Sequence, residues 1–302
     1  MRNANPLRMD PTRTVMIRKR FMAEILKTMR NLKRHLVEFM VTDDALALKD
    51  RKSIVPFSGL TGLAQPRRFE FHTSADKLKA FNEWFQQQVE ADVLSPDVGT
   101  PVATPWTTEF VESSYRRGML NAYASSKQAK FLDEAGVGDM TQEEFLRSSF
   151  GAPEARSKVQ LLATRSLEQL KGATNAMGSE MNRILAQGMA DGSGPEAIAR
   201  EMTARIDSLT RSRAMTIART EIINAHAEGQ LDSFEKLGVK ELGIKAEWST
   251  AGDDRVCPEC APNEGRVFDM ETARGMIPLH PNCRCSWIPS APGAKAQGSR
   301  PL

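Results

Sequence analysis

The chain has 302 residues, a formal net charge of +3 and 40% hydrophobic residues, enough for one large domain or two ordinary ones. No apolar run reaches bilayer-spanning length, and none precedes a small-residue cleavage site as a secretory signal would. The sequence therefore reads as a soluble protein made in the cytoplasm, with no membrane partner.

The charge is unevenly spread. Residues 1–40 hold Arg2, Arg8, Arg13, Arg18, Lys19, Arg20, Lys27, Arg30, Lys33 and Arg34 against Asp10, Glu24 and Glu38. Such a basic arm suits phosphates or an acidic protein surface. It equally suits a solvated helix face, because no aromatics interleave with the cations to stack bases. The same region carries Ile17, Phe21, Ile25, Met29, Leu32, Leu36 and Phe39 at steps of three and four, which predicts an amphipathic helix over 14–48. A helix that long needs partner helices to bury its stripe.

Pro56, Gly59, Gly62 and Pro66 mark a connector over 52–71, with room for a short strand. A second helix follows a Thr73 or Ser74 cap, with Leu78, Phe81, Phe85 and Val89 on one face. Three prolines and a glycine interrupt 95–105, and a third helix is predicted over 106–134 through Phe110, Val111, Tyr115, Met119, Leu120 and Tyr123. Thr141 and Glu144 form a capping box for a short helix ending near Phe150. Residues 152–188 read as a helical hairpin or kinked helix broken near Gly172, with Leu161, Leu162, Leu167 and Leu170 before it and Met181, Ile184 and Leu185 after. Asp191 to Gly194 is a turn, Ser193 and Glu196 cap the next helix with Pro195 in its first turn, and another helix runs from about Thr210 to Leu237.

Beyond Gly238 the period changes to two. Ile244, Ala246, Trp248 and Thr250 alternate with polar residues, and 266–268 and 284–288 are further strand candidates. The predicted fold is mainly α, with long amphipathic helices and a small C-terminal α+β zinc-binding module. Its parts are a helical N-terminal region with the basic arm (1–100), a helical body (101–240), the β-containing module (241–288) and a disordered tail (289–302).

All four cysteines lie in that module, as Cys257-Pro258-Glu259-Cys260 and, after a Gly-containing loop, His280-Pro281-Asn282-Cys283-Arg284-Cys285. This is metal-ligand spacing, and cytoplasmic thiols more often hold metal than form disulfides. A closed structural zinc site wants four ligands, and Cys257, Cys260, Cys283 and Cys285 supply them. Cys283 and Cys285 would face opposite ways in a regular strand, so His280 in place of Cys285 is the alternative set. In a segment with few apolar residues, zinc closure would supply folding energy on the order of 10 kcal/mol.

His226-Ala227-Glu228 ahead of the first cysteine pair invites a second reading, as a zinc-dependent nucleobase deaminase. Against it, Val256 rather than Pro precedes Cys257, and the stretch is predicted helical, so His226 and Glu228 project about 200° apart. The reading also leaves His280, Cys283 and Cys285 without a role. Trp248 reads as core and Asp253-Asp254-Arg255 as a polar turn. Arg219 with Glu221 is a buried polar pair or surface, and His35 and His72 read as structural.

The run from Ile217 to Ala225, then Glu247 to Thr250, Asp253 to Cys260, Gly265 and Pro278 to Cys285, resembles the tailed-phage head morphogenesis family, the Mu F-like minor head proteins. The similarity is strongest over 155–288. The resemblance implies a non-enzymatic minor head protein of the virion or procapsid, with structural zinc, acting in head assembly at or near the portal vertex. Implied partners are the portal protein, the major capsid or scaffolding protein and packaged DNA. The arm residues Arg13, Arg18, Lys19, Arg20, Lys27, Arg30, Lys33 and Arg34 are the candidate contacts to DNA or a partner. A DNA-binding accessory protein unconnected with capsids is a third reading.

Overall fold

A computed structural model describes residues 10–49, 71, 73–95, 104–238, 242–291 and 293–296. Arg2, Arg8, His72, nearly all of the 52–71 connector and the end of the tail lie outside them. The protein is mainly helical with a small C-terminal three-stranded sheet. In chain order come α1 (Val15–Val37), α2 (Ser74–Val89), α3 (Thr108–Gln128), α4 (Phe131–Glu134), α5 (Gln142–Phe150), α6 (Pro153–Ala190), α7 (Pro195–Lys236), β1 (Ala246–Ser249), β2 (Val267–Phe268), α8 (Met270–Ala273) and β3 (Ser286–Pro289). The chain divides into two compact units. One comprises Met1–Met22, Asp97–Leu167 and Met215–Leu302, the other Ala23–Pro96 and Glu168–Ala214.

The second unit is built on the predicted stripes. From α1 it buries Ile25, Met29, Leu32 and Leu36, and from α2 Phe81, Phe85 and Val89. Both helices widen into a π-helical turn at their C-terminal ends, Glu38–Thr42 and Glu90–Leu94. The extra residue per turn rotates the stripe, so Met40 is buried where the 3.6-residue period points to Phe39. α1 thus ends well before Leu48. Thr73 and Asp76 make a reciprocal capping box at the start of α2. Met177, Met181 and Met202 join this core, which is where many of the methionines go.

Two predicted breaks are absent. α6 runs unbroken through Gly172, and α7 is a single 42-residue helix where two were expected. Gly172 faces open space, so it removes some helix propensity without forcing a bend. Leu161, placed on the predicted stripe, is exposed while its neighbour Leu162 is buried. Between α6 and α7, Gly192 takes φ +68° and the Ser193 N–H reaches back to Gly188 C=O, closing α6 as a glycine cap does. The Ile198 N–H bonds Gly194 C=O, so Gly194, one residue after the expected Ser193, bounds α7 and Pro195 opens it.

In the first unit, α3 and α7 approach until backbone meets backbone. A Cβ on Gly118 would lie 2.0 Å from His226 O, and one on Gly229 2.2 Å from Tyr115 O. Ser114 Oγ donates to Ile222 O at 2.6 Å in the same seam. α3 stops at Gln128, and Lys130 in a left-handed conformation turns the chain into α4. The predicted Thr141–Glu144 capping box opens α5. The sheet has order β2-β1-β3 with both pairings antiparallel, and Trp248 sits opposite Trp287. Ile244, Ala246, Trp248 and Thr250 are all buried, as the period of two requires.

This sheet does not form a separate core. Trp248, Trp287, Phe268, Cys260, Cys283 and Cys285 pack in one buried cluster with Tyr115, Met119, Leu231 and Phe234 of α3 and α7. Hydrophobic burial therefore supports the module directly, and metal closure is not its sole source of stability. Ser290 is buried and exchanges two hydrogen bonds with the Lys245 backbone, so pairing continues one residue past β3.

Candidate metal centre

Two loops bring five sulfur and nitrogen donors together. In the first, the Cys260 and Ala261 N–H groups both bond Cys257 C=O, and the Cys260 N–H also points at Cys257 Sγ at 3.3 Å. This tight knuckle turns both thiols of the C-x-x-C pair to one side. The second loop is hung on α7. Gly275 N–H donates to Glu228 Oε1 at 3.0 Å, Asn282 N–H to Thr220 Oγ1 and Asn282 Nδ2 to Thr216 Oγ1, both at 3.3 Å. Asn282 holds φ +68°, a conformation asparagine tolerates better than most residues. The loops are joined by Arg284, whose guanidinium donates to both Asp253 oxygens at 2.6 and 2.8 Å. That fork, reinforced by Arg255, holds the Asp253 carboxyl well below the usual carboxylate range.

The donors form two overlapping groups, Cys257, Cys260 and His280, and Cys260, Cys283 and Cys285, within each of which all ligand atoms lie within 4.8 Å. Either group could hold a metal ion. Cys260 belongs to both. Cys283 and Cys285 precede the start of β3, so the opposition expected of a regular strand does not apply and both sulfurs turn toward Cys260. The Cys260–Cys283 Sγ separation is 3.8 Å. Two thiolates bound tetrahedrally to one zinc at about 2.3 Å would sit about 3.8 Å apart. His280 Nε2 lies 3.0 Å from Cys257 Sγ and 3.2 Å from Cys260 Sγ, hydrogen-bond contacts a few tenths of an ångström tighter than two ligands of one ion. A cavity of about 30 Å³ lined by Cys257, Cys260, His280 and Cys285 is of the size that one water or ion fills. The donor set fits zinc.

The electrostatics favour deprotonation at one point of the cluster. Cys283 accepts hydrogen bonds from the Cys260 and Cys285 thiols, which pulls its pKa down, while donating to Cys283 pushes Cys260 up. His280 Nδ1 lies 2.7 Å from Pro281 C=O. A carbonyl only accepts, so Nδ1 carries the proton and Nε2 presents its lone pair to the sulfurs, the arrangement that metal-ligating histidines use.

His226 and Glu228 are elsewhere in the same unit, separated by the turn of α7. His226 is fully buried, with Nε2 2.9 Å from Asn121 Nδ2, and it belongs to neither metal-competent group. Glu228 pairs with Lys158 at 3.0 Å and Arg274 at 3.1 Å. Asp232, one helical turn on, accepts from Tyr115 OH at 2.5 Å and pairs with Lys158 and Arg274. The H-x-E pair is thus divided between the helix packing and an ion network. Of the two readings of Glu221, buried or surface, the structure shows it buried, and it meets Arg165 at 3.4 Å rather than Arg219.

The basic arm is partly committed. Arg18 pairs with Asp10, Arg20 with Glu109, Lys27 with Glu24 and Lys33 with Asp207, and Arg34 touches His35. Among the described residues, Arg13, Lys19 and Arg30 make no ion pair. Arg13 to Arg20 lie in the first unit and Lys27 to Arg34 in the second. Exposed apolar side chains are few, and the large ones among the described residues are Val15, Met16, Val37, Leu161 and Met215. His35, read as structural, bonds Asp92 at 2.7 Å and Gln88 at 3.0 Å.

Sequence reasoning missed Gln230. Its buried side-chain amide donates Nε2 to Trp287 O at 2.7 Å and accepts Trp287 N–H on Oε1 at 3.0 Å. It pairs with the outer edge of β3 as a further strand would.

Residues 179–288 match the family described as Phage Mu protein F like protein, a stretch that covers α7, the sheet up to Ile288 and every candidate metal ligand. No curated protein and no solved structure matches the chain. The family is one of phage head-related proteins. No helix among the described residues is long and apolar enough to cross a membrane.

Proposed function

Because residues 179–288 carry the phage Mu F-like family, we propose that this chain is a minor head protein that acts in head morphogenesis at or near the portal vertex. The observation that carries the reading is the coincidence of the matched region with one continuous construction. The long helix α7, the sheet and the two ligand loops share a core and a set of hydrogen bonds. Its residues are spent on fixing shape. His226 and Glu228, the pair a deaminase would need, are engaged in helix packing and an ion network, which supports an assembly and interaction role over an enzymatic one.

In this reading zinc is structural. Cys260 with Cys283 would hold it, completed from Cys257, Cys285 and His280, and bound zinc would supply four-way cross-linking between the loops. Asp253, Arg284 and Asn282 hold the loops in register for it.

The partners are the portal protein and the major capsid or scaffolding protein, with packaged DNA a candidate contact of Arg13, Lys19 and Arg30. Removing residues 1–40 would not test the DNA contact, since Phe21, Ile25, Leu32 and Leu36 are core. Neutralising Arg13, Lys19 and Arg30 leaves that core intact. A fall in the salt dependence of DNA affinity supports the contact, and an unchanged slope removes it. The assembly role is tested by pull-down from phage-infected cells. Recovery of identified portal or major capsid protein is expected, and recovery of neither overturns the reading.

A further inference from the structure

A pocket of about 200 Å³ opens in the first unit where α1 meets α7, away from the candidate metal centre. Its lining combines Val15, Met22 and Met215 with Arg18, Lys19 and Arg219. A buried cavity of about 150 Å³ accepts a benzene ring, so this one has room for a large apolar side chain. Two of its apolar walls are exposed to solvent, Val15 at 39% and Met215 at 46%. Exposed methionine on a surface is adaptable and suits a partner side chain of loosely fixed shape.

The cations around it are under-compensated. Arg18 donates to Asp10 through Nη2, but its Nη1 is buried without a hydrogen-bond partner. Burial, with the fields of Arg219 and Arg284 added, lowers the Arg18 pKa against the pull of Asp10. Lys19 and Arg219 make no ion pair among the described residues. A buried guanidinium nitrogen without an acceptor costs stability, and among the described residues it leaves the Arg18 charge matched by Asp10 alone.

We propose that this pocket docks an acidic amphipathic segment of a partner protein, which inserts one large apolar side chain and sets its carboxylates against Arg18, Lys19 and Arg219. A nucleic acid satisfies only half of the site. Phosphates would meet the cations, but no aromatic side chain lines the pocket to stack a base, and the apolar walls would stay wet. The docking surface belongs to α1 and α7 themselves, so it stands whether or not the partner is a head protein.

The test uses the full chain with carbon-13-labelled methionine methyls, the Met22 and Met215 signals being assigned through Met22→Leu and Met215→Leu. The probe is a short peptide with leucine and glutamate at helical spacing. Saturable shifts at Met22 and Met215, with Met181 and Met202 unmoved, are expected. The double variant Lys19→Glu, Arg219→Glu alters two surface charges and should bind about tenfold more weakly or worse. The proposal is overturned if the glutamate peptide moves neither methyl, if a lysine version moves them equally, or if a DNA duplex moves them and the peptide does not.

Discussion

Gln230→Ala isolates the contact through which α7 holds the sheet. β3 is an edge strand, its other side being paired with β1, and Trp287 is fully buried. Its N–H and C=O therefore cannot turn to water when the Gln230 amide is removed. Two buried backbone groups would each lose their partner, at about 1–3 kcal/mol apiece, for a total of about 2–6 kcal/mol before the lost volume adds to it. Gln230→Met keeps most of the volume and should lose only the hydrogen-bond share. Gln230→Glu keeps the acceptor for Trp287 N–H but sets a carboxylate against Trp287 C=O, so its loss should grow as pH rises. Urea unfolding followed by tryptophan fluorescence reads all three. An alanine variant within about 0.5 kcal/mol of the parent would mean that the amide does not hold β3, since that is the range of uninvolved surface changes.

Gly118→Ala or Gly229→Ala should each lose about 1–3 kcal/mol or more in the same assay, because the new methyl meets a helix carbonyl; Gly172→Ala, with open space around it, should gain about 0.5–1 kcal/mol. His226 is held to a pKa of about 3 by burial, with Arg117 adding to the effect. Its folded-state value lies below that of a free histidine, about 6.5. Its contribution is therefore complete above about pH 6.5 and is lost as pH falls toward the folded value, by an amount on the order of a few kcal/mol. His226→Gln should remove that slope, and an identical pH profile for parent and variant would contradict it. Elemental analysis should find about one zinc per chain, lost in Cys260→Ser because Cys260 belongs to both donor groups. Chelation should then shift the emission of Trp248 and Trp287 while leaving the helical circular dichroism, since the sheet shares its core with α3 and α7. Complete unfolding on chelation would instead make zinc the main source of stability.

What the sequence shows and what it hides follow from the range of the interactions. The stripe from Phe21 to Leu36 and the alternation from Ile244 to Thr250 are local periodicities imposed by one-sided burial, and both are readable. The Thr73 and Thr141 caps are local too, each closed within three residues. Gly172 misled because glycine marks a break only where the surrounding structure uses its freedom, and an exposed position in a packed helix does not. Gly118 and Gly229 look equally ordinary in the sequence, yet they let two helices touch. Gln230 falls on the buried side of α7 for a reason found 57 residues later, at Trp287.

The ligand region was legible as chemistry but not as geometry. Cysteine spacing identifies the donors, and the matched family covers them. The choice between His280 and Cys285 depended on whether Cys285 lies in a strand. It lies just before one, and both donors stay within reach of Cys260.

The proposed role makes this chain a component of an assembling phage head. Quantitative mass spectrometry of purified procapsids, from a phage genome carrying this sequence, tests that role. The chain should be present, at a small fraction of the abundance of the major capsid protein. Its absence from procapsids and mature particles alike, with the protein free in the lysate, would rule that role out.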